Sequence, residues 1–210
     1  MPNSKTYSFK TERLLVRCYN PADAPLLKEA IDKSLNHLKP WMPWANAEPE
    51  TVEQKRERLR QFRGQFDLDQ DFVYGIFSLD NTQLIGSTGL HTRIGKNARE
   101  IGYWVHIDHQ KKGYINEAVI GLVKLAFELE DVERLEIHCD PKNYGSKAIP
   151  ERLGFTHEAT LKNRVKDSEG TYRDAMIWTL FREDYRAERY KNHLFTAFDI
   201  VNQPIKTIDT

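Results

Sequence analysis

Glu100-Ile-Gly-Tyr-Trp-Val-His-Ile107, the turn Asp108-His-Gln-Lys-Lys-Gly113, and Tyr114-Ile-Asn-Glu-Ala118 with the apolar run behind it decide how this chain reads. The first piece is rich in β-branched and aromatic residues, which fits a strand. The second is polar and holds a glycine and two lysines. In the third, Ala118, Val119, Leu122, Val123, Ala126 and Leu129 recur at helical spacing. A strand, a basic turn and a helix in this order aim free backbone N–H groups out of a helix N-terminus, which makes an anion site, usually for phosphate. The turn has neither the G-x-x-x-x-G-K-[ST] spacing of a P-loop nor the three glycines of a dinucleotide fingerprint.

Moving outward, Gln110-x-x-Gly113-x-Ile115 stands in the turn, with Ile115 in the last position. Glu100-Ile-Gly-Tyr-Trp precedes it and Gly113-Tyr-Ile-Asn-Glu-Ala118 continues it. Further on come Asn143-x-x-Ser146 and Leu153-Gly-Phe155, and near the start Thr11-Glu-Arg-Leu-Leu15. Together these resemble the RimJ/RimL-type branch of the GNAT acetyltransferases over roughly residues 8 to 182. In that family the Q/R-x-x-G-x-G/A turn holds the pyrophosphate of acetyl-CoA. The resemblance implies acetyl-CoA as co-substrate and a sheet whose fourth and fifth strands splay to admit the pantetheine arm.

The remaining segments fit one α/β (α+β) fold with a single mixed, mostly antiparallel sheet flanked by helices. Leu14 to Cys18 reads as a strand. A helix follows with Asp23 as its N-cap, carrying Leu26, Leu27, Ala30, Ile31 and Leu35 on one face. Thr51-Val-Glu-Gln54 is a capping box opening a second helix to about Gly64, whose Lys55, Arg56, Glu57, Arg58 and Arg60 read as a solvated face. Strands are expected at 71–79 and 83–93, then the organising strand and long helix, a strand at 133–140, a helix from Asn143 or Ser146 to Gly154, and strands at 155–161 and 172–181 around a turn at 167–170. The expected organisation is an acetyltransferase domain over 1–182 and a C-terminal tail over 183–210.

Hydrophobic residues make up 40% and charged residues 30%, ordinary for a globular protein, and 31 basic residues balance 31 acidic ones. Net charge zero argues against a nucleic-acid binder driven by bulk charge. No apolar run approaches the roughly 20 residues of a membrane span. The N-terminus has no signal-peptide core, and Cys18 and Cys139 are the two cysteines, so a cytoplasmic, reduced protein is expected. Oligomeric state, a homodimer included, stays open.

Acetyl transfer to an amine needs a held thioester, a base for the ammonium and an acid for the sulfur. The resemblance assigns cofactor binding to Gln110, Lys111, Lys112, Gly113, Tyr114, Ile115, Asn116 and Glu117. It pairs the pantetheine amides with the strand edge Val105, His106 and Ile107, and adds Asn143 and Ser146. Many GNAT enzymes use a tyrosine four residues before the Gly-Phe pair as the acid, but Pro150 stands there, which should kink the helix. Ser146 is then the leading group on the sulfur side, while Asn143 and Ser146 also suit a helix cap. Glu100 stands about where some GNAT enzymes keep a catalytic glutamate, so the resemblance makes it the expected base, with burial raising its pKa. His91, His106 and a water chain are rivals, and Tyr144 is a fallback acid. His91, Trp41 and Trp44 are expected at the acceptor pocket. No metal site is expected, since His106-x-x-His109 lacks completing ligands. Cys139 is a remote candidate for carrying the acetyl group. Two readings follow: an N-acetyltransferase acting on a primary amine by direct attack, or a non-catalytic acyl-CoA-binding module. The acceptor amine stays open among a ribosomal-protein N-terminus, a free or nucleotide-linked amino acid, a polyamine and an antibiotic amine.

Overall fold

The computed structural model describes residues 5–167 and 169–205; Met1–Ser4 of the N-terminus, Ser168 of the expected 167–170 turn and residues 206–210 of the expected tail lie outside them. Ten strands form one sheet: β1 (Ser8–Lys10), β2 (Leu14–Cys18), β3 (Phe72–Ser78), β4 (Leu84–His91), β5 (Ala98–Val105), β6 (Arg134–Cys139), β7 (Thr156–Lys166), β8 (Tyr172–Phe181), β9 (Thr196–Phe198) and β10 (Pro204–Ile205). Their order is β10-β9-β1-β2-β3-β4-β5-β6-β8-β7. Only the β5–β6 pair is parallel among the described strands, and it follows from the crossover helix between them.

The helices are α1 (Ala24–Leu38), α2 (Val52–Asp67), α3 (Tyr114–Lys124), α4 (Tyr144–Leu153) and α5 (Ala187–Tyr190). One face of the sheet packs α3 and α4 through Leu14, Val16, Ile101, Leu122, Ile137 and Leu153. The other packs α1 and α2 through Leu27, Ile31, Leu59 and Phe77. Strand alternation decides which residue meets which layer. In β5, Ile101 belongs to the α3–α4 face and Trp104 to the α1–α2 face.

β5 and β6 pair only over Ala98–Glu100 against Arg134–Glu136. Beyond Glu100 the two strands part, while β6 stays paired with β8 to Cys139. The result is the expected splay, between the fourth and fifth strands once the short β1 is set aside. It opens a passage between the two layers of helices with Glu100 at its apex.

Two local features depart from the expectations. Asp23 stands at the N-cap position of α1 but makes no side-chain cap bond there. It closes a capping box with Asn20 on the preceding 3-10 turn, Asn20 N–H to its carboxylate at 2.8 Å, and holds Arg17. The capping box at Thr51 and Gln54 forms as expected. The face of α2 is not wholly solvated, however: Lys55 is fully buried and its ammonium bonds the Glu48 and Glu50 carboxylates. A lysine can be buried when carboxylates match its charge, a pairing that a helical charge pattern does not reveal. The segment after Phe181 continues the same sheet, with β9 pairing β1, and Tyr190 buried with its hydroxyl on the Leu153 carbonyl at 2.8 Å. No helix among the described residues is long and apolar enough to cross a membrane.

Candidate active site

Gly113 sits at φ 81° and ends the polar turn, a conformation that glycine adopts without a Cβ penalty. The first intrahelical bond of α3 runs from Glu117 N–H to Gly113 O at 3.1 Å. Tyr114, Ile115 and Asn116 therefore direct N–H groups out of the helix N-terminus. Gln110 Nε2 and Asn116 Oδ1 are buried there without a protein partner, and Lys111 and Lys112 are exposed. The backbone N–H groups, Gln110 Nε2 and the two ammonium groups are the donors here, and they fit a pyrophosphate; Asn116 Oδ1 is an acceptor and is not one of them. Ile115 packs against the α3–α4 core, which leaves the backbone approach open despite the missing Gly or Ala.

Glu117 does not face this opening as a free ligand. Thr11 Oγ1 donates to it at 2.6 Å, Arg13 N–H at 2.9 Å and Arg13 Nε at 2.7 Å, and Arg13 also reaches the Lys112 carbonyl at 3.0 Å. The turn is thus tied to the β1–β2 corner.

Of the expected pantetheine edge, His106 N–H bonds the Ile85 carbonyl at 2.9 Å and Ile107 N–H bonds Ser34 Oγ at 3.0 Å. The His106 ring is buried and accepts from Asp108 N–H at 3.1 Å. The edge of β5 with no strand partner on the β6 side is Ile101–Val105, so it includes Val105 but lies mostly upstream of the expected stretch.

On the α3–α4 side of the opening stand Tyr103 and Ser146. Asn143 Oδ1 caps α4 by accepting from Ser146 N–H at 3.1 Å. Tyr103 Oη lies 3.2 Å from Ser146 Oγ and donates to the Ser146 carbonyl at 3.0 Å. Burial raises the Tyr103 phenol above its ordinary value, partly offset by the Ser146 bond, so it stays protonated. Cys139 is buried nearby with its thiol pushed up to about 11, chiefly by burial, which makes it a poor nucleophile at neutral pH. Tyr144 is exposed at 77%, away from this cluster.

On the α1–α2 side lies a cleft of about 1010 Å³, lined by Trp41, Trp44, Trp104, Lys55, His91, Glu100 and His138 among others, and reaching Asn143 and Ser146. Trp44 packs against Trp104 at 6.3 Å between ring centroids. His91 Nδ1 holds Asp71 at 2.9 Å, and its ring lies across Gly89 and Gly102. Glu100 contradicts the raised pKa expected for it. Burial pushes its carboxyl up, but the Arg93 hydrogen bonds at 2.7 and 2.5 Å, with the charges of His138, Arg93 and His91, outweigh burial and hold it below the usual range. It is ionised and is a weak base. His138 went unread in the sequence. Its Nε2 lies 2.7 Å from Glu136 and its Nδ1 3.7 Å from Glu100. The alternation Glu136-Ile-His138 is the signal that places both on one face. Among the described residues no cluster suits a metal ion.

Residues 13–156 match the acetyltransferase (GNAT) domain family. The chain is 27% identical to the Bacillus subtilis (strain 168) protein YdaF over 85% of this chain and 96% of that one. It is 26% identical to the Escherichia coli (strain K12) [ribosomal protein uS5]-alanine N-acetyltransferase, over 85% and 93%. The structure of RimL, a ribosomal L7/L12 α-N-protein acetyltransferase in complex with coenzyme A, superposes with TM-score 0.75 at 22% identity, covering 88% of this chain and 98% of that one. By the family match over most of its length and the splayed sheet built around the Gln110–Glu117 turn, this chain belongs to the GNAT acetyltransferases.

Proposed function

We propose that this protein moves the acetyl group of acetyl-CoA to a primary amine by direct attack within a ternary complex. The acceptor is a peptide N-terminal α-amine or a small aminoacyl or amine compound. The observation that carries the reading is the passage at the β5–β6 splay, with Tyr103 and Ser146 at one mouth and Glu100 and His138 at the other. The turn at Gln110–Glu117 grips the pyrophosphate, and the open β5 edge takes the pantetheine amides. This brings the thioester to Ser146, with Asn143 beside it.

The ammonium first loses one proton to a base on the cleft side. The nitrogen lone pair then bonds the carbonyl carbon and the C=O pair moves onto oxygen. Collapse restores C=O and breaks C–S, and the second proton lost by nitrogen ends on the sulfur. The Ser146 hydroxyl, with Tyr103 behind it, relays or holds that proton. Glu100, kept ionised by Arg93, attracts the ammonium. The Trp41, Trp44 and Trp104 wall supplies a rigid apolar surface for the acceptor. The two departures that favour a binding-only module both have local accommodation: Ile115 packs inward, and Pro150 leaves the Ser146 carbonyl for Tyr103.

The test is thiol release from acetyl-CoA with a panel of primary amines that includes alanine- and serine-initiated peptides. Amine-dependent release supports the reading. Calorimetric binding of acetyl-CoA without release for any amine supports the binding-only module instead.

A further inference from the structure

We infer that His138, oriented by Glu136, is the proton acceptor for the amine. This rests on the transferase reading above and deepens it. Glu136 and His138 stand two residues apart on β6, and Glu136 Oε2 lies 2.7 Å from Nε2, where a carboxylate oxygen accepts and the neutral ring must donate from Nε2. That bond fixes the tautomer and leaves the Nδ1 lone pair free. Nδ1 lies 3.7 Å from Glu100 Oε2, at the apex where β5 and β6 part. The next residue on this face of β5 after Glu100 is Gly102, which carries no side chain of its own and is overlain by the His91 ring.

The other charged groups fix the reading. Arg134 pairs with Glu136 at 2.7 Å, and Arg93 pairs with Glu100. Each carboxylate is therefore already engaged by a guanidinium, and the imidazole lies between them. From β3 and β4 the facing pair is Asp71 and His91, and β8 presents Ile177 opposite His138. His91 sits on β4, behind β5, whereas His138 is on the strand that forms the lip of the opening. The ammonium gives its proton to Nδ1, the imidazolium is stabilised between Glu100 and Glu136, and the proton leaves to solvent through the cleft. His138 keeps 29% side-chain exposure, which provides that exit.

The experiment compares wild type with His138→Gln, His138→Ala and Glu136→Gln. It uses the most reactive amine of the panel at saturating acetyl-CoA and measures kcat/KM from pH 6 to 9.5. Acetyl-CoA affinity is measured by calorimetry on each variant, which reports folding and the far side of the passage. The expected result is a loss of about a hundredfold near pH 7 for His138→Gln, the scale of one acid–base group, with acetyl-CoA affinity unchanged. The loss shrinks as pH rises and free amine accumulates. Added imidazole restores part of the His138→Ala rate, and Glu136→Gln shows a smaller defect with a shifted acidic limb. A wild-type pH profile and rate in both His138 variants overturns the assignment while leaving the transferase reading intact. If wild type itself releases no thiol with any amine, both fall.

Discussion

Tyr103 donates its phenolic proton to the carbonyl of Ser146 at 3.0 Å, and Ser146 is the residue four before Pro150. In an unbroken helix that carbonyl would accept from the N–H of residue 150, which proline lacks. The proline thus frees a backbone acceptor, and a strand residue from across the opening takes it. The helix continues to Leu153 and closes with Phe155 N–H on the Pro150 carbonyl at 3.0 Å. A tyrosine is missing from α4 at this position, yet a tyrosine hydroxyl still stands beside Ser146.

Tyr103→Phe removes that donor and leaves the Ser146 carbonyl without its partner, at a cost of about 1–3 kcal/mol. Pro150→Ala restores a backbone N–H to the same carbonyl. The loss from Tyr103→Phe is therefore smaller in the Pro150→Ala background, with a coupling of about 0.5–3 kcal/mol, measurable by denaturant unfolding of the two single variants and the double. Strict additivity would show that the two donors do not share the carbonyl.

Ser146→Ala lowers kcat by roughly 10- to 1,000-fold with acetyl-CoA affinity nearly intact, if the hydroxyl handles the sulfur proton. Calorimetry and steady-state rates on the same preparation check it. Full turnover with chemistry rate-limiting would reduce Ser146 to a helix-cap residue.

Gly113→Val and Glu117→Ala test the phosphate turn from its two sides. At φ 81° a β-branched residue is strained, and its side chain meets Arg13 Nη2, 3.4 Å from the position a Cβ would take. Gly113→Val should abolish acetyl-CoA binding. Glu117→Ala releases Thr11 and Arg13 from the turn, and the acetyl-CoA KM rises about tenfold, roughly 1.4 kcal/mol, while the acceptor KM holds. An equal rise in both would mean general unfolding.

Much of this was legible in the sequence. The strand–turn–helix at 100–124 and the capping box at Thr51 are local patterns, and each reads within one element. What escaped was the pairing of side chains that belong to different elements or loops. Nothing near Lys55 shows that Glu48 and Glu50 bury it, and nothing near Glu100 shows that Arg93 curls back to ionise it. His138 and Tyr103 matter through the place where two strands separate, and that place is set by register, which no window of sequence contains.

Lys55→Ala leaves the buried Glu48 carboxylate without its ammonium, while Glu50 keeps Arg58, and destabilises the fold by about 3–5 kcal/mol. Converting Lys55, Glu48 and Glu50 together to Met, Gln and Gln recovers much of that loss. Thermal or urea unfolding decides it, and a triple variant weaker than Lys55→Ala alone would contradict the account.

The lowered pKa of Glu100 sets a direction for acid stability. Its folded value lies below its unfolded value of about 4.3, so its contribution is present above that pH and is lost as pH falls through the folded value. Arg93→Ala should therefore cost stability at pH 7, and the gap to wild type should narrow towards pH 3. A gap that widens on acidification would mean that Glu100 is not held ionised by Arg93.

The most direct measurement of the central claim is intact-mass spectrometry of a single turnover, with enzyme in excess over acetyl-CoA. Without acceptor, direct attack predicts an unmodified chain. With a reactive amine present, it predicts one acetyl group on the amine and free CoA thiol. An acetyl group on Cys139 in the absence of acceptor, or no acetylated amine in its presence, would contradict the account.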